Sequence, residues 1–255
     1  MNSPETIIRV KDLVKKYEEL TAVDGISFEV SKGEIFGLLG PNGAGKTTTL
    51  EIMETLRDKT SGEVIIDGLS VDTNQQEIKR IIGVQLQAAG YYPNLNLTEL
   101  IELFAGLYNV NVKAMDMLKL VDLEEKAKAK FKELSGGQKQ RFSICTTLIN
   151  MPKVIFLDEP TTGLDPQARR NLWDLIKKIK DGGTTIMLTT HYMDEAEILC
   201  DRVGIIDKGT IISIDTPDNL IDALVTSGFE RPKQVKLATL EDVFLNLTGK
   251  ELRES

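Results

Sequence analysis

Cysteine is nearly absent from this 255-residue chain: Cys145 and Cys200 are the only two. Two thiols cannot build a disulfide framework, and their scarcity fits a reducing compartment. Histidine is scarcer still, with His191 alone, and no Cys-x-x-Cys pair exists to anchor a zinc site. Aromatic residues make up only 5% of the chain, with one tryptophan, Trp173. No apolar run approaches the roughly 18 residues that a bilayer-spanning helix requires. The opening Met1 to Lys11 shows no basic segment followed by an apolar stretch, so no secretory leader is expected. Positive charge is not in excess either: 31 Lys and Arg against 39 Asp and Glu give a net charge of −8, which argues against a bulk electrostatic grip on nucleic acid. Repeats and low-complexity segments are missing. These absences point to a soluble, cytoplasmic protein that meets any membrane through a partner.

What is present is a core. Hydrophobic residues reach 41% and charged residues 27%, enough for one large domain or two small ones. Short apolar runs at Glu34–Leu39, Val154–Leu157 and Thr185–Leu188 read as strands buried on both faces of a parallel sheet. Ala168, Leu172, Leu175, Ile176 and Ile179 recur at helical spacing, with Pro166 in the first turn. The fold class expected is α/β with a mostly parallel sheet. Residues 6–30 and Val64–Asp67 alternate instead, which predicts a small antiparallel β subdomain beside that sheet. Residues ~92–150 are strand-poor and predict an inserted α-helical subdomain, with Thr98 as the N-cap of a helix from Glu99 to Tyr108. Lys126–Lys132 reads as a solvated helix face and linker. Leu240–Leu247 reads as a short amphipathic helix within a C-terminal tail, residues 238–255.

Gly40-Pro41-Asn42-Gly43-Ala44-Gly45-Lys46-Thr47 matches the G-x-x-x-x-G-K-[ST] phosphate loop, and it lies between an expected strand and an expected helix. Its glycines let backbone N–H groups face an anion, and the helix start at Thr47 and Thr48 adds positive potential. Lys46 is placed to reach the β- and γ-phosphates and Thr47 to ligate Mg²⁺. These features call for a nucleoside triphosphate with Mg²⁺. At the end of another buried strand stand Asp158, suited to hold Mg²⁺ through water, and Glu159, suited to polarise an attacking water.

With Leu134-Ser135-Gly136-Gly137-Gln138 placed between them, the order of these motifs resembles the ATP-binding cassette (ABC) ATPases over nearly the whole chain. Residues 1–237 would form the ATP-binding domain, a P-loop NTPase core. The resemblance implies that Tyr17 stacks on adenine. It also implies that Gln87 touches Mg²⁺ and senses a transmembrane partner, with Gln85 a nearby competitor. Ser135 and Gly137 would contact the γ-phosphate of ATP held by another subunit, with Gly136 and Gln138 in the same nucleotide-binding stretch; Asp165 would link the two sites, and His191 would contact the γ-phosphate. Physical chemistry supports the pairing: Gly136 and Gly137 allow close approach to a phosphate, and Ser135 can cap the following helix. That makes a second anion-binding helix start, which one chain cannot easily fold onto the same ATP. A head-to-tail homodimer enclosing two ATP molecules is the simple closed solution.

His191-Tyr192-Met193-Asp194-Glu195-Ala196-Glu197 and the Leu240–Gly249 tail resemble stand-alone drug-export cassettes of the daunorubicin-resistance-like group. The partners implied are an integral membrane permease on a separate chain and a second cassette, at the cytoplasmic side of the cell membrane. Tyr91 and Tyr92 would lie near the permease groove, with Tyr91 predicted to affect coupling and not ATP binding. The rival reading is a soluble ABC ATPase of nucleic-acid repair or translation; no nucleic-acid partner is expected. Cys145, Cys200 and Trp173 read as packing residues.

Overall fold

The alternation at the start of the chain produces two long paired strands. In the computed structural model of the chain, which describes residues 5–85 and 90–229, β1 (Thr6–Tyr17) and β2 (Leu20–Ser31) run antiparallel. The buried apolar run follows as β3 (Ile35–Leu39), then the phosphate loop and α1 (Lys46–Met53). Next come β4 (Ser61–Ile66), β5 (Leu69–Ser70), α2 (Gln75–Ile81) and β6 (Ile82–Gln85). The strand-poor middle folds as α3 (Leu97–Tyr108), α4 (Ala114–Leu120), two 3₁₀ turns and α5 (Gly136–Thr147). The chain then alternates β7 (Val154–Asp158), α6 (Pro166–Asp181), β8 (Thr185–Thr190), α7 (Met193–Leu199), β9 (Arg202–Asp207), β10 (Thr210–Asp215) and α8 (Pro217–Thr226).

Two sheets result. The order β2-β1-β4-β5 is antiparallel, and the order β10-β9-β3-β8-β7-β6 is parallel except at its β10 edge. Every residue of β3, β7 and β8 is buried, as continuous apolar strands in a covered parallel sheet should be. Phe28 and Phe36 stack at 5.3 Å within one core that joins the two sheets. The periodic face of α6 is buried at Leu172, Leu175, Ile176 and Ile179, each contributing about 1.5–3 kcal/mol by leaving water.

Two local expectations change. The cap of α3 is Asn96, not Thr98: Asn96 Oδ1 accepts from the Glu99 N–H at 3.0 Å, and Glu99 Oε2 accepts from the Asn96 N–H at 2.8 Å. This reciprocal pair satisfies two donors at once, which a threonine two residues later cannot do. Thr98 instead ties α3 to the Ala127 carbonyl at 3.2 Å. Lys126–Lys132 forms no helix face; it falls across two 3₁₀ turns with Ala127 buried between the charges. Tyr91 is half-buried against the helical segment. Its ring lies 4.3 Å from Phe131 and 5.4 Å from Phe142, and its hydroxyl shares a 3.0 Å hydrogen bond with Thr146 Oγ1. Tyr92 is the exposed member of the pair.

The chain divides into two compact units, Met1–Asn219 and Leu220–Ser255. Of the second, residues 220–229 are described; they expose Leu224, Val225 and Phe229. The tail helix expected at Leu240–Leu247 lies outside the described residues, as does Gln87.

Candidate active site

Parallel pairing places the chemistry. β3, β8 and β7 are adjacent, with Leu39 opposite Thr190 and Asp158 opposite Thr189. Their carboxyl ends therefore meet at one edge, where open α/β sheets bind ligands. The phosphate loop leaves β3 at that edge, Asp158 and Glu159 end β7, and His191 follows β8.

The loop turns into α1 through Gly45, whose φ is +104°. A Cβ there would also lie 2.5 Å from the Ala22 carbonyl oxygen, so no other residue fits. Lys46 is 5% exposed and donates to the carbonyls of Gly40 at 2.7 Å and Pro41 at 3.0 Å. Burial pushes its ammonium below the ordinary lysine range, and the Glu159 and Asp158 charges oppose that shift. Thr47 Oγ1 donates toward Asp158, 3.2 Å from Oδ2. Thr189 Oγ1 makes a short hydrogen bond to Asp158 Oδ1.

Glu159 is held in the left-handed region at φ +47°, an uncommon conformation for a residue with a Cβ. Its N–H is shared between the Thr189 carbonyl at 3.2 Å and Thr189 Oγ1 at 3.1 Å. The carboxylate is bracketed on both oxygens. Thr162 Oγ1 donates to Oε2 at 3.2 Å, and His191 Nδ1 lies 3.1 Å from Oε1, close but off the hydrogen-bond direction. The His191 ring packs on Tyr192 at 4.1 Å, and Tyr192 in turn lies under the Arg169 guanidinium at 4.7 Å.

A cavity of about 630 Å³ opens above this edge, within the usual range for small-molecule sites. Tyr17 and Leu20 line one end, and Lys46, Thr47, Thr48 and Glu159 the other; Asn42, Gly43 and Gly45 join them. Gly40, Pro41 and Ala44 frame the loop instead: the first two through their carbonyls to Lys46, and Ala44 through a 3.0 Å bond from the Gly209 N–H.

Ser135, Gly136, Gly137 and Gln138 do not line this cavity. They begin α5, where Ser135 Oγ accepts from the Gln138 N–H at 3.3 Å and Gln138 Oε1 accepts from the Ser135 N–H at 3.0 Å. Asp165 also stands apart, capping α6 by accepting from the Ala168 N–H at 2.8 Å. A Cβ on Gly137 would come 2.9 Å from Ala168 Cβ, so the start of α5 packs closely on the start of α6. Gln85 ends β6, is 4% exposed, and lines a second cleft of about 280 Å³ with Gln140, Asp158, Glu159 and Thr162.

Several site residues escape sequence reasoning. Thr189 serves both Asp158 and Glu159, and its signal is two adjacent threonines closing an otherwise apolar strand. Arg57, which also lines the cavity, carries no motif of its own, and Thr162 lies in the Thr161–Asp165 stretch with no role of its own assigned to it. Cys145 and Cys200 are buried, and burial raises both thiols, Cys145 to about 12. Trp173 is buried and donates to the buried Glu195 Oε1 at 3.2 Å, so it packs and does not face the cavity.

Residues 23–162 match the family described as ABC transporter. The chain is 36% identical over 244 residues to the linearmycin resistance ATP-binding protein LnrL of Bacillus subtilis (strain 168), covering 94% of this chain and 78% of that one. It is 41% identical over 221 residues to the Nod factor export ATP-binding protein I of Burkholderia pseudomallei (strain 1710b), covering 85% and 73%. Among solved structures, the dimeric post-hydrolysis state of the ATP-binding cassette MJ0796 bound to ADP and Pi superposes with a TM-score of 0.75 at 30% identity, covering 83% of this chain and 99% of that one.

Proposed function

The chain belongs to the ABC transporter family, and from that premise we propose that it is the ATP-hydrolysing subunit of an exporter, working at the cytoplasmic face of a membrane on a separate integral permease. Residues 1–237 are taken as the ATP-binding domain, with ~92–150 inserted and 238–255 a tail. It is an ATPase of the cassette fold, and no helix among the described residues is long and apolar enough to cross a membrane. The observation that carries the reading is a division of labour: Lys46, Thr47, Asp158, Glu159 and His191 gather at one strand edge, whereas the Ser135 helix start lies away from the cavity that Lys46, Thr47 and Glu159 line there. A second cassette completes each site, and homodimerisation is the simplest supply.

Binding begins with Tyr17 against the adenine and the loop N–H groups around the phosphates. Lys46 exchanges its two carbonyl partners for phosphate oxygens. The donor set of Thr47 Oγ1 and the Asp158 carboxylate, oxygen atoms only, fits a hard divalent cation such as Mg²⁺, which would neutralise phosphate charge when bound. Gln87 is assigned to the same cation and to the permease contact. Ser135, Gly136, Gly137 and Gln138 approach from the partner cassette, and Asp165 holds the adjoining helix start in register. Glu159 accepts the proton of the attacking water, with Thr162 fixing Oε2. His191, packed on Tyr192 and beside Oε1, steadies the γ-phosphoryl end together with Lys46 as charge spreads over it.

The relatives named for linearmycin resistance and Nod factor export favour export over a role on nucleic acid. Affinity purification from detergent-solubilised membranes tests this. An integral membrane protein recovered with the chain supports the reading; recovery of nucleic acid with no membrane protein refutes it.

A further inference from the structure

The turn after α1 breaks two local rules at one residue. Thr55 is β-branched yet sits at φ +58°, where side chains of its shape are strained. Its Oγ1 is also buried without a hydrogen-bond partner. Natural sequences rarely combine such violations unless something nearby benefits. The turn reverses the chain so that the Leu56 and Arg57 N–H groups both donate to the Glu51 carbonyl, at 2.9 and 3.1 Å. Arg57 Nε then pairs with Glu51 Oε2 at 2.5 Å. The segment is pinned to the end of β1 as well: the Thr60 N–H donates to the Val14 carbonyl at 2.8 Å and Thr60 Oγ1 accepts from the Lys16 N–H at 2.9 Å.

The product is a guanidinium fixed 5.4 Å from the centre of the Tyr17 ring, with both residues on the wall of the 630 Å³ cavity. Lys15 Nζ lies 4.9 Å from the same centre, but among the described residues it makes no ion pair. One cation is therefore clamped and the other is free to move aside.

We propose that Arg57, held by Glu51 and the Thr55 turn, is a base-side positioning residue of the nucleotide site, fixing the Tyr17 ring for stacking against a purine. α1 then serves both ends of the ligand: its first residues face the phosphates, and the turn past its last residue sets the base platform. A cation held on an aromatic ring also makes that ring a stiffer, more polarised stacking surface. The proposal rests on reading the cavity as the ATP site.

The test compares a ligand with a base and one without. Isothermal titration of the full chain with MgATP and with Mg-tripolyphosphate should show Arg57→Ala weakening ATP about five-fold and tripolyphosphate less than about two-fold. On a Tyr17→Ala background the ATP loss from Arg57→Ala should shrink below about two-fold, because the residue acts through the ring. Turnover at saturating ATP should hold, so the change falls on KM. Glu51→Gln, which loosens the guanidinium without removing it, should shift ATP affinity in the same direction and stands in should Arg57→Ala not fold. Equal loss for both ligands, no loss for ATP, or an undiminished loss without Tyr17 would overturn the assignment. Lys46→Ala separates the underlying reading: if it leaves tripolyphosphate affinity unchanged, the phosphate site itself is wrong, whatever Arg57 does.

Discussion

Glu54 offers the sharpest test of the electrostatics beneath the site. It closes the C-terminus of α1, is 4% exposed, and makes no ion pair among the described residues. Burial raises its carboxyl to about 8, and the nearby Asp158 and Glu51 charges push it the same way. At neutral pH the folded protein therefore keeps this group protonated, whereas the unfolded chain releases the proton near 4.5. The folded state binds the extra proton between those two values, so stability falls as pH rises through that window and is fully present below it. The slope is about 1.4 kcal/mol per pH unit. From pH 5.5 to 7.5 the loss is about 2–3 kcal/mol, or roughly 5–10 °C in Tm for a chain of this size. Glu54→Gln keeps the shape and cannot ionise. Thermal unfolding of both proteins at pH 5.5, 6.5 and 7.5 should show wild type losing ground to the variant by that amount, since all other titrating groups are shared. Parallel curves would mean that Glu54 is charged in the folded protein and that the reasoning about its surroundings fails.

Other perturbations act on the site directly. Glu159→Gln should keep ATP binding, cut turnover by about 10²–10⁴-fold and trap a dimer visible by size exclusion with ATP; wild-type turnover would remove Glu159 from the role of base. Lys46→Ala should weaken ATP by at least about ten-fold, the scale of one lost charge-assisted bond, and unchanged affinity by titration calorimetry would contradict its placement. Tyr91→Ala should lower unfolding stability by about 3 kcal/mol through the loss of its ring contacts while MgATP affinity persists. A stable variant would show that the aromatic cluster around Phe131 and Phe142 does not hold the helical segment.

The parts of the fold legible in the sequence are those written locally. The apolar runs at β3, β7 and β8 are buried at every residue because they fill the covered sheet, and their composition alone shows it. The phosphate loop was legible for the same reason: glycine, lysine and threonine sit within eight residues, and each acts on a neighbour. The cap of α3 was misplaced because Asn96 and Thr98 are both good caps in isolation. Only the reciprocal bond with Glu99 chooses between them. A tyrosine two residues before a proline likewise gives no sign of the three rings that pack on Tyr91.

What stayed hidden is mostly what depends on distant segments. Thr189 meets Asp158, and Arg57 meets the Tyr17 ring, only when parts of the chain far apart in sequence come together, whereas Thr162 reaches Glu159 within one turn. Thr189 reaches Asp158 across 31 positions of chain, and the register of β7 against β8 decides that contact, not any property of the threonine. Arg57 belongs here too, since it follows α1 and its ring partner Tyr17 ends β1. Some residues at or near the site also break local rules. Glu159 and Thr55 both hold φ values that their side chains disfavour, and Gln85 Oε1 is buried without a partner beside Asp158 and Glu159. A stretch of core free to optimise itself would shed such features, each a cost of order 1–3 kcal/mol. At Glu159 that cost falls on a residue of the cavity wall itself, a position whose backbone answers to the ligand before it answers to the fold.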